Sequence, residues 1–199
     1  MADLVLASGN AGKVREFQAL LGAAWRVRPQ SEFAIASVEE TGATFLANAL
    51  LKARHAARVT GLPALADDSG LEVDALGGAP GVRSARYAGP EADDGANNAK
   101  LLEALAGVPE PQRTARYRCV LVWLDPVTRT ELMTVGMTTG RIAEALQGRG
   151  GFGFDPLFVS DELGVEGGRD AGGRRPRGQG RAGPFQPQGG KVDCGPGKE

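Results

Sequence analysis

The chain carries a single histidine, His55, in 199 residues. A zinc site built on imidazoles, or a Ser-His-Asp triad, has almost nothing to work with. Cysteine is nearly as scarce: Cys119 and Cys194 are the only two, far apart and without metal-ligand spacing. That usage argues against a disulfide framework and fits a reducing compartment. No apolar run approaches the ~20 residues that cross a bilayer. The N-terminus runs straight into a strand-like segment, with no charged-then-apolar leader pattern. An excess of one charge is lacking too, since 23 basic against 24 acidic residues leave a net charge of -1. Nothing in that balance points to nucleic acid or to a membrane surface. The expectation is a soluble, cytoplasmic protein with neither of those partners. Its hydrophobic content of 42% is enough to build a sizeable core.

What is present reads as alternating strands and helices. Leu4-Val5-Leu6-Ala7 is a short apolar run that ends in Ser8-Gly9-Asn10-Ala11-Gly12-Lys13. Val14, Phe17, Leu20 and Leu21 then recur at helical spacing, so the first unit is strand, glycine turn, helix. After a less regular stretch, Phe45, Leu46, Ala49, Leu50, Ala53, Ala56 and Ala57 form one long apolar stripe, which Thr41 or Thr44 is placed to cap. Ala64-Leu65-Ala66 reads as a short strand delivering Asp67-Asp68-Ser69-Gly70 at its end. Another helix is expected around Leu101, Leu102 and Leu105. Arg116 to Leu124 and Leu132 to Met137 read as a strand hairpin across Asp125-Pro126. Early βα alternation followed by paired strands predicts an α/β fold with a mixed sheet.

Three motifs carry candidate chemistry. The turn from Ser8 to Lys13 places backbone N–H groups at a helix N-terminus, which is an anion site, and Lys13 adds a point charge. It is not a P-loop, because Val14 stands where that motif needs Ser or Thr. The same residues also suit an ordinary tight turn. The acid pairs Glu39-Glu40 and Asp67-Asp68 stand where side chains can converge. Such carboxylates can hold Mg²⁺, or take a proton from an attacking water. Glu39-Glu40 equally suits a solvated pair before a helix. Adjacent acids after a buried strand are costly unless capped or liganded. Finally, the loop Gly151-Phe152-Gly153-Phe154-Asp155 offers an aromatic face for a base and glycines for close approach, though two core phenylalanines would look alike.

Taken in order, SGNAGK, EETG with TFLANALLKARHAA, ADDSGLEVDALGGAPGVRSARYAG and GGFGFDPLF resemble the Ham1/RdgB-type nucleotide pyrophosphatases over roughly residues 3 to 164. The resemblance implies an elongated central mixed sheet with two α/β lobes and a substrate cleft between them. It implies Mg²⁺-dependent hydrolysis of non-standard purine nucleoside triphosphates (ITP, dITP, XTP) to monophosphate and pyrophosphate, in a homodimer. By position it makes Ser8, Gly9, Asn10, Ala11, Gly12 and Lys13 the triphosphate turn. Glu39 and Asp68 become the metal ligands, with Asp68 also the proton acceptor and Ser69 a substrate contact. Phe152, Gly153, Phe154 and Asp155 become the base-side loop, with Phe152 the stacking face.

The family pattern continues after that loop with a lysine, a Ser-His-Arg segment and a C-terminal helix. This chain instead turns Gly-, Arg- and Pro-rich after Val165, with no histidine there. Two regions are therefore expected: a pyrophosphatase domain over 1–165 and a tail over 166–199. The tail lacks the apolar content to offset its ordering entropy, so it is expected to be disordered. The abrupt change of composition points to a shifted reading frame. The absent His-Arg pair is what the family uses to read the purine 6-keto group. The alternative function is accordingly a truncated member that binds Mg-nucleotide but is inactive or has lost base discrimination.

Overall fold

The computed structural model describes residues 1–147 and 152–161. The predicted tail over 166–199 and the loop glycine Gly151 lie outside the described residues. Among those described, no helix is long and apolar enough to cross a membrane.

A six-stranded mixed sheet organises the chain in the order β2-β1-β3-β4-β5-β6. Strands β1 (Ala2–Leu6), β2 (Trp25–Pro29) and β3 (Ala64–Val73) run parallel around β1. The hairpin of β4 (Thr114–Asp125) and β5 (Thr130–Ile142) continues the sheet antiparallel, and β6 (Phe158–Ser160) closes it. The α/β class and mixed sheet agree with the sequence expectation. Strand β2 was not anticipated: Trp25-Arg26-Val27-Arg28-Pro29 carries one buried side chain, Val27, so its pattern is too weak to announce a strand.

Helix α1 (Ala11–Leu21) covers one face of the sheet, and α2 (Phe45–Thr60) covers the other. Leu4, Leu6, Val27 and Leu65 pack under Val14, Phe17 and Leu21 of α1. Val5, Ala64, Ala66, Val120, Val122 and Leu124 pack under Phe45, Ala49, Ala53, Ala56 and Ala57 of α2. The alanine stripe lets α2 lie close to the sheet. Thr44 caps it, accepting from the Ala47 N–H at 3.1 Å, and Gly61 ends it in the left-handed region at φ 68°.

A second apolar cluster lies at the other end of the long strands. Leu71, Val73, Ala115 and Ile142 meet Leu101 and Leu105 of helix α3 (Asp94–Ala104) and its C-cap, together with Phe154, Leu157 and Phe158. The buried Arg113 guanidinium donates to the carbonyls of Leu105, Val108 and Ala143, so it enters this core with its hydrogen bonds made. Strands β3 and β4 thus span two packing regions, and the site lies where they meet.

One correction concerns β3. Asp67-Asp68-Ser69-Gly70 does not follow a short strand: it sits in the middle of a ten-residue strand fully paired with β4. Strand geometry sends successive side chains to opposite faces. Asp67 therefore points toward α1 and Asp68 toward α2, a separation that two acids at a strand end would not show. At Gly70 a Cβ would lie 2.5 Å from Ser84 Oγ and 2.6 Å from the Gly81 carbonyl oxygen, so the turn over 81–86 packs directly on the strand backbone.

Leu101→Ala tests the second core. Its side chain is 0% exposed, and the substitution is expected to cost about 2–5 kcal/mol. Urea unfolding should show a lower midpoint with an unchanged slope.

Candidate active site

The triphosphate turn is a self-capped helix start. Asn10 is the N-cap of α1, and its side-chain oxygen accepts from Gly12 N–H at 2.8 Å and Lys13 N–H at 3.2 Å. Ser8 Oγ accepts from the Asn10 N–H at 3.1 Å. Part of the anion-binding potential expected of this turn is thereby spent internally. Among the described residues the N–H groups of Gly9 and Ala11 have no partner, so they and the helix dipole face the solvent. Lys13 reaches from α1 to Asp67, 2.5 Å away, across the same face of the sheet.

On the opposite face, one cation ties two carboxylates together. Lys52 Nζ, on α2, donates to Glu40 Oε1 at 2.7 Å and to Asp68 Oδ1 at 3.1 Å. Asn48, one turn earlier and wholly buried, donates to Asp68 Oδ2 at 3.1 Å and accepts from the Gly42 N–H at 2.7 Å. This single side chain fixes both the acid loop and the strand acid. Gly42 is required there, since a Cβ would approach the Asn48 side chain to 2.5 Å. Arg86, from the turn after Pro80, donates to Glu40 Oε2 at 3.4 Å and to its carbonyl at 3.3 Å.

The electrostatics follow from this arrangement. Burial pushes the Asp68 carboxyl above its ordinary value, and Glu40 adds to the rise, although Lys52 and Asn48 pull the other way. Burial also pushes Glu40 upward, but Lys52 and Arg86 outweigh it and hold that carboxyl below its ordinary value. For Lys52, burial favours the neutral amine, yet the paired acids keep its ammonium more basic than usual. A carboxylate raised toward neutrality beside a cleft is suited to accept a proton.

These groups line a cleft of about 580 Å³. Ala7, Ser8, Gly9 and Lys13 line it together with Glu39, Glu40, Lys52, Asp67 and Arg86. Asp68 stands immediately behind Lys52, 8% exposed. Glu39 lines the cleft, and its carboxylate makes no hydrogen bond among the described residues. Those residues hold no group of three or more His, Cys, Asp or Glu side chains that forms a metal cage. Ser69 is exposed on the Asp67 face of β3 and does not line the cleft. In sequence alone Lys52 suits either a lysine turned toward phosphates or, more commonly, a surface lysine, and Arg86 and Asn48 carry no signal of their own. Lys52 alone had a usable signal, since Asn48 and Lys52 are i, i+4 neighbours on one helix face.

The base-side loop divides its residues between surface and core. Phe152 is 66% exposed, whereas Phe154 is 3% exposed, edge-on to Tyr87 in the second core. The expectation of Phe154 as a substrate contact is therefore corrected for its ring, which the core holds; only its backbone faces the loop. Asp155 accepts from the Phe152 N–H at 3.1 Å and the Tyr117 hydroxyl at 3.3 Å, so it shapes the loop. Burial raises the Tyr117 hydroxyl far above its ordinary value, which keeps it a donor. Gly153, at φ 59°, takes the left-handed turn that the loop requires.

Comparison with known proteins places this architecture. The Ham1 family profile matches residues 4–166. A dITP/XTP pyrophosphatase of Thioalkalivibrio sulfidiphilus is 55% identical over 165 residues, covering 80% of this chain and 83% of that protein. One from Escherichia coli O157:H7 is 56% identical over 163 residues, covering 79% and 81%. Among solved structures, a HAM1 protein from Coxiella burnetii aligns with TM-score 0.79 and 44% identity, covering 84% of this chain and 86% of that one. The mixed sheet with a cation-and-carboxylate cleft is thus that of a nucleotide-hydrolase fold. The chain belongs to the Ham1 family.

Asn48→Ala leaves the Gly42 N–H and one Asp68 oxygen without their partners. It is expected to lower stability by about 1–3 kcal/mol, read as a lower Tm. Asn48→Asp keeps the acceptor for Gly42 but sets a second carboxylate against Asp68, so it should lose at least as much.

Proposed function

We propose that the chain hydrolyses non-standard purine nucleoside triphosphates (ITP, dITP and XTP) to the monophosphate and pyrophosphate. The observation that carries this reading is the cleft itself: Lys13, Lys52 and Arg86 converge on it from three separate elements, with Asp68 behind Lys52. Three cations and a helix N-terminus suit the charge of a triphosphate, and the raised Asp68 carboxyl suits a proton acceptor. The relatives that support the substrate class are themselves dITP/XTP pyrophosphatases.

In this reading a water attacks the α-phosphorus while Asp68 takes its proton. The bond from that phosphorus to the bridging oxygen breaks, and pyrophosphate leaves. Lys13, Lys52 and the Gly9 and Ala11 N–H groups stabilise the charge that builds on the phosphate oxygens. Phe152 and the Gly153 backbone flank the base.

The donor set fits Mg²⁺. Glu40 and Asp68 already share one cation, and Glu39 brings a further carboxylate to the cleft wall. One or two carboxylates with waters and phosphate oxygens are what Mg²⁺ takes. Asp68 and Glu39 would hold it, while Glu40 anchors Lys52. When bound it supplies neutralising charge to the phosphates and lowers the pKa of a nearby water. We also propose that the chain works as a homodimer in the cytoplasm, as its family resemblance implies; analytical ultracentrifugation tests the assembly.

A second reading is favoured by one specific observation. The family match stops at residue 166, and residues 166–199 contain no Ser-His-Arg segment. Such a chain would bind Mg-nucleotide without turnover, or without discriminating the base.

Pyrophosphate release with Mg²⁺ from ITP, XTP, ATP and GTP separates the two. The expected result is turnover of ITP and XTP, lost on chelation. Asp68→Asn should lower it by about 10²–10⁴-fold. Turnover of all four alike, or of none, supports the second reading. For the metal, Glu39→Gln should raise the Mg²⁺ concentration for half-maximal rate, and Glu40→Gln should act chiefly on KM through Lys52.

A further inference from the structure

Two adjacent asparagines, Asn97 and Asn98, sit in the second turn of α3, and they are 2% and 4% exposed. Asparagine is a poor residue for a helix interior, and burying its amide is costly unless it is bonded. Each amide reaches out of the helix to a different loop. Asn97 accepts from the Ala88 N–H at 2.8 Å and donates to the Ala85 carbonyl at 3.2 Å, gripping the turn that carries Arg86. Asn98 donates to the Gly153 carbonyl at 2.8 Å and, within the helix, to the Asp94 carbonyl at 2.7 Å. Asp94, in the first turn, accepts from the Gly153 N–H at 2.6 Å. Gly153 is therefore held on both its N–H and its carbonyl by one helix end, next to Phe152. The Asn98 Oδ1 has no partner among the described residues.

We propose that Asp94 and Asn98 are positioning residues for base recognition: they clamp Gly153 and so fix the loop that presents Phe152 to the purine. Asn97 performs the parallel task for the Arg86 turn on the phosphate side. The start of α3 thereby holds both the Arg86 turn, which lines the cleft, and the Phe152–Gly153 loop. Neither Asp94 nor Asn98 touches the reacting atoms, so their effect is on binding of the base rather than on the chemical step.

The inference rests on the purine triphosphate reading, and two readouts keep the two apart. The first needs no turnover: hydrogen–deuterium exchange of the 152–158 segment in the nucleotide-free protein. Asn98→Ala and Asp94→Ala should each speed exchange at Gly153 by about tenfold or more. Asp94→Asn, which keeps an acceptor oxygen, should recover most of the protection. Asn98→Asp, which loses the donating amide, should not. The second readout is kinetic, with inorganic tripolyphosphate as a competitive inhibitor that has no base. Asn98→Ala should raise KM for ITP about tenfold, the worth of one hydrogen bond of ~1.4 kcal/mol, and leave the tripolyphosphate inhibition constant within about twofold. Asn97→Ala should raise both together. Unchanged exchange in Asp94→Ala and Asn98→Ala overturns the clamp. Faster exchange with KM and the inhibition constant rising in parallel overturns its base-side role. A wild-type chain that fails to turn over ITP counts against the function reading, and the exchange readout then decides the clamp alone.

Discussion

The ammonium of Lys52, lodged between Glu40 and Asp68, is the contact on which the site depends. It joins three elements that arrive from distant parts of the chain: the acid loop, the α2 helix and the β3 strand. Without that cation, two part-buried carboxylates would face one another across a poorly solvated gap, which is strongly unfavourable. The pairing also explains the opposite behaviour of the two acids. Glu40 has two cationic neighbours and stays readily ionised, whereas Asp68 is the more desolvated partner and is raised. In the proposed function, a substrate phosphate entering the cleft would meet a lysine that already neutralises the acid behind it.

The long strands give this contact a rigid frame. Residues 64–73 of β3 pair without interruption with β4, and β4 pairs along its whole length with β5. Because the ladder continues from the α1/α2 region into the α3 region, the cleft and the Phe152–Gly153 loop share one sheet. Loops then need only local anchoring. Asn48 supplies it for the acid loop, Asn97 for the Arg86 turn, and Asp94 with Asn98 for Gly153. Each is a short polar side chain placed on a helix, an element whose geometry leaves little slack.

Much of the frame was legible from residue order. The apolar runs marked β1, β4 and β5, and the alanine stripe marked α2 with two candidate caps, of which the structure uses Thr44. Of the motif residues, Ser8, Gly9, Lys13, Glu39 and Glu40 line the cleft, and Asp68 stands behind Lys52. What was hidden depends on tertiary contact. Strand β2 exposes too much of itself to show alternation. A run of acids inside a paired strand reads the same in sequence as one at a strand end, but only the former sends Asp67 and Asp68 to opposite faces. The pair Phe152 and Phe154 is likewise symmetrical on paper, and the core takes one of them. Lys52 was ambiguous because a lysine's surroundings are set by what packs against its helix, here the loop that Asn48 draws in.

The glycine that ends the Asp67-Asp68-Ser69-Gly70 run has a different origin from its acids. Its α-carbon lies against Ser84 Oγ and the Gly81 carbonyl, in a gap that no larger residue fits. The Ser84 hydroxyl meanwhile donates to that Gly81 carbonyl and accepts from the Leu71 N–H, so the seam is bonded as well as packed. Evolutionary change at this position is closed whatever the cleft hydrolyses. A descendant that drifted to another nucleotide, or lost catalysis altogether, would be under the same pressure to keep the glycine. Within this short signature the carboxylates record chemistry and the glycine records masonry, and a motif search that weighs all four letters equally mixes the two kinds of ancestry.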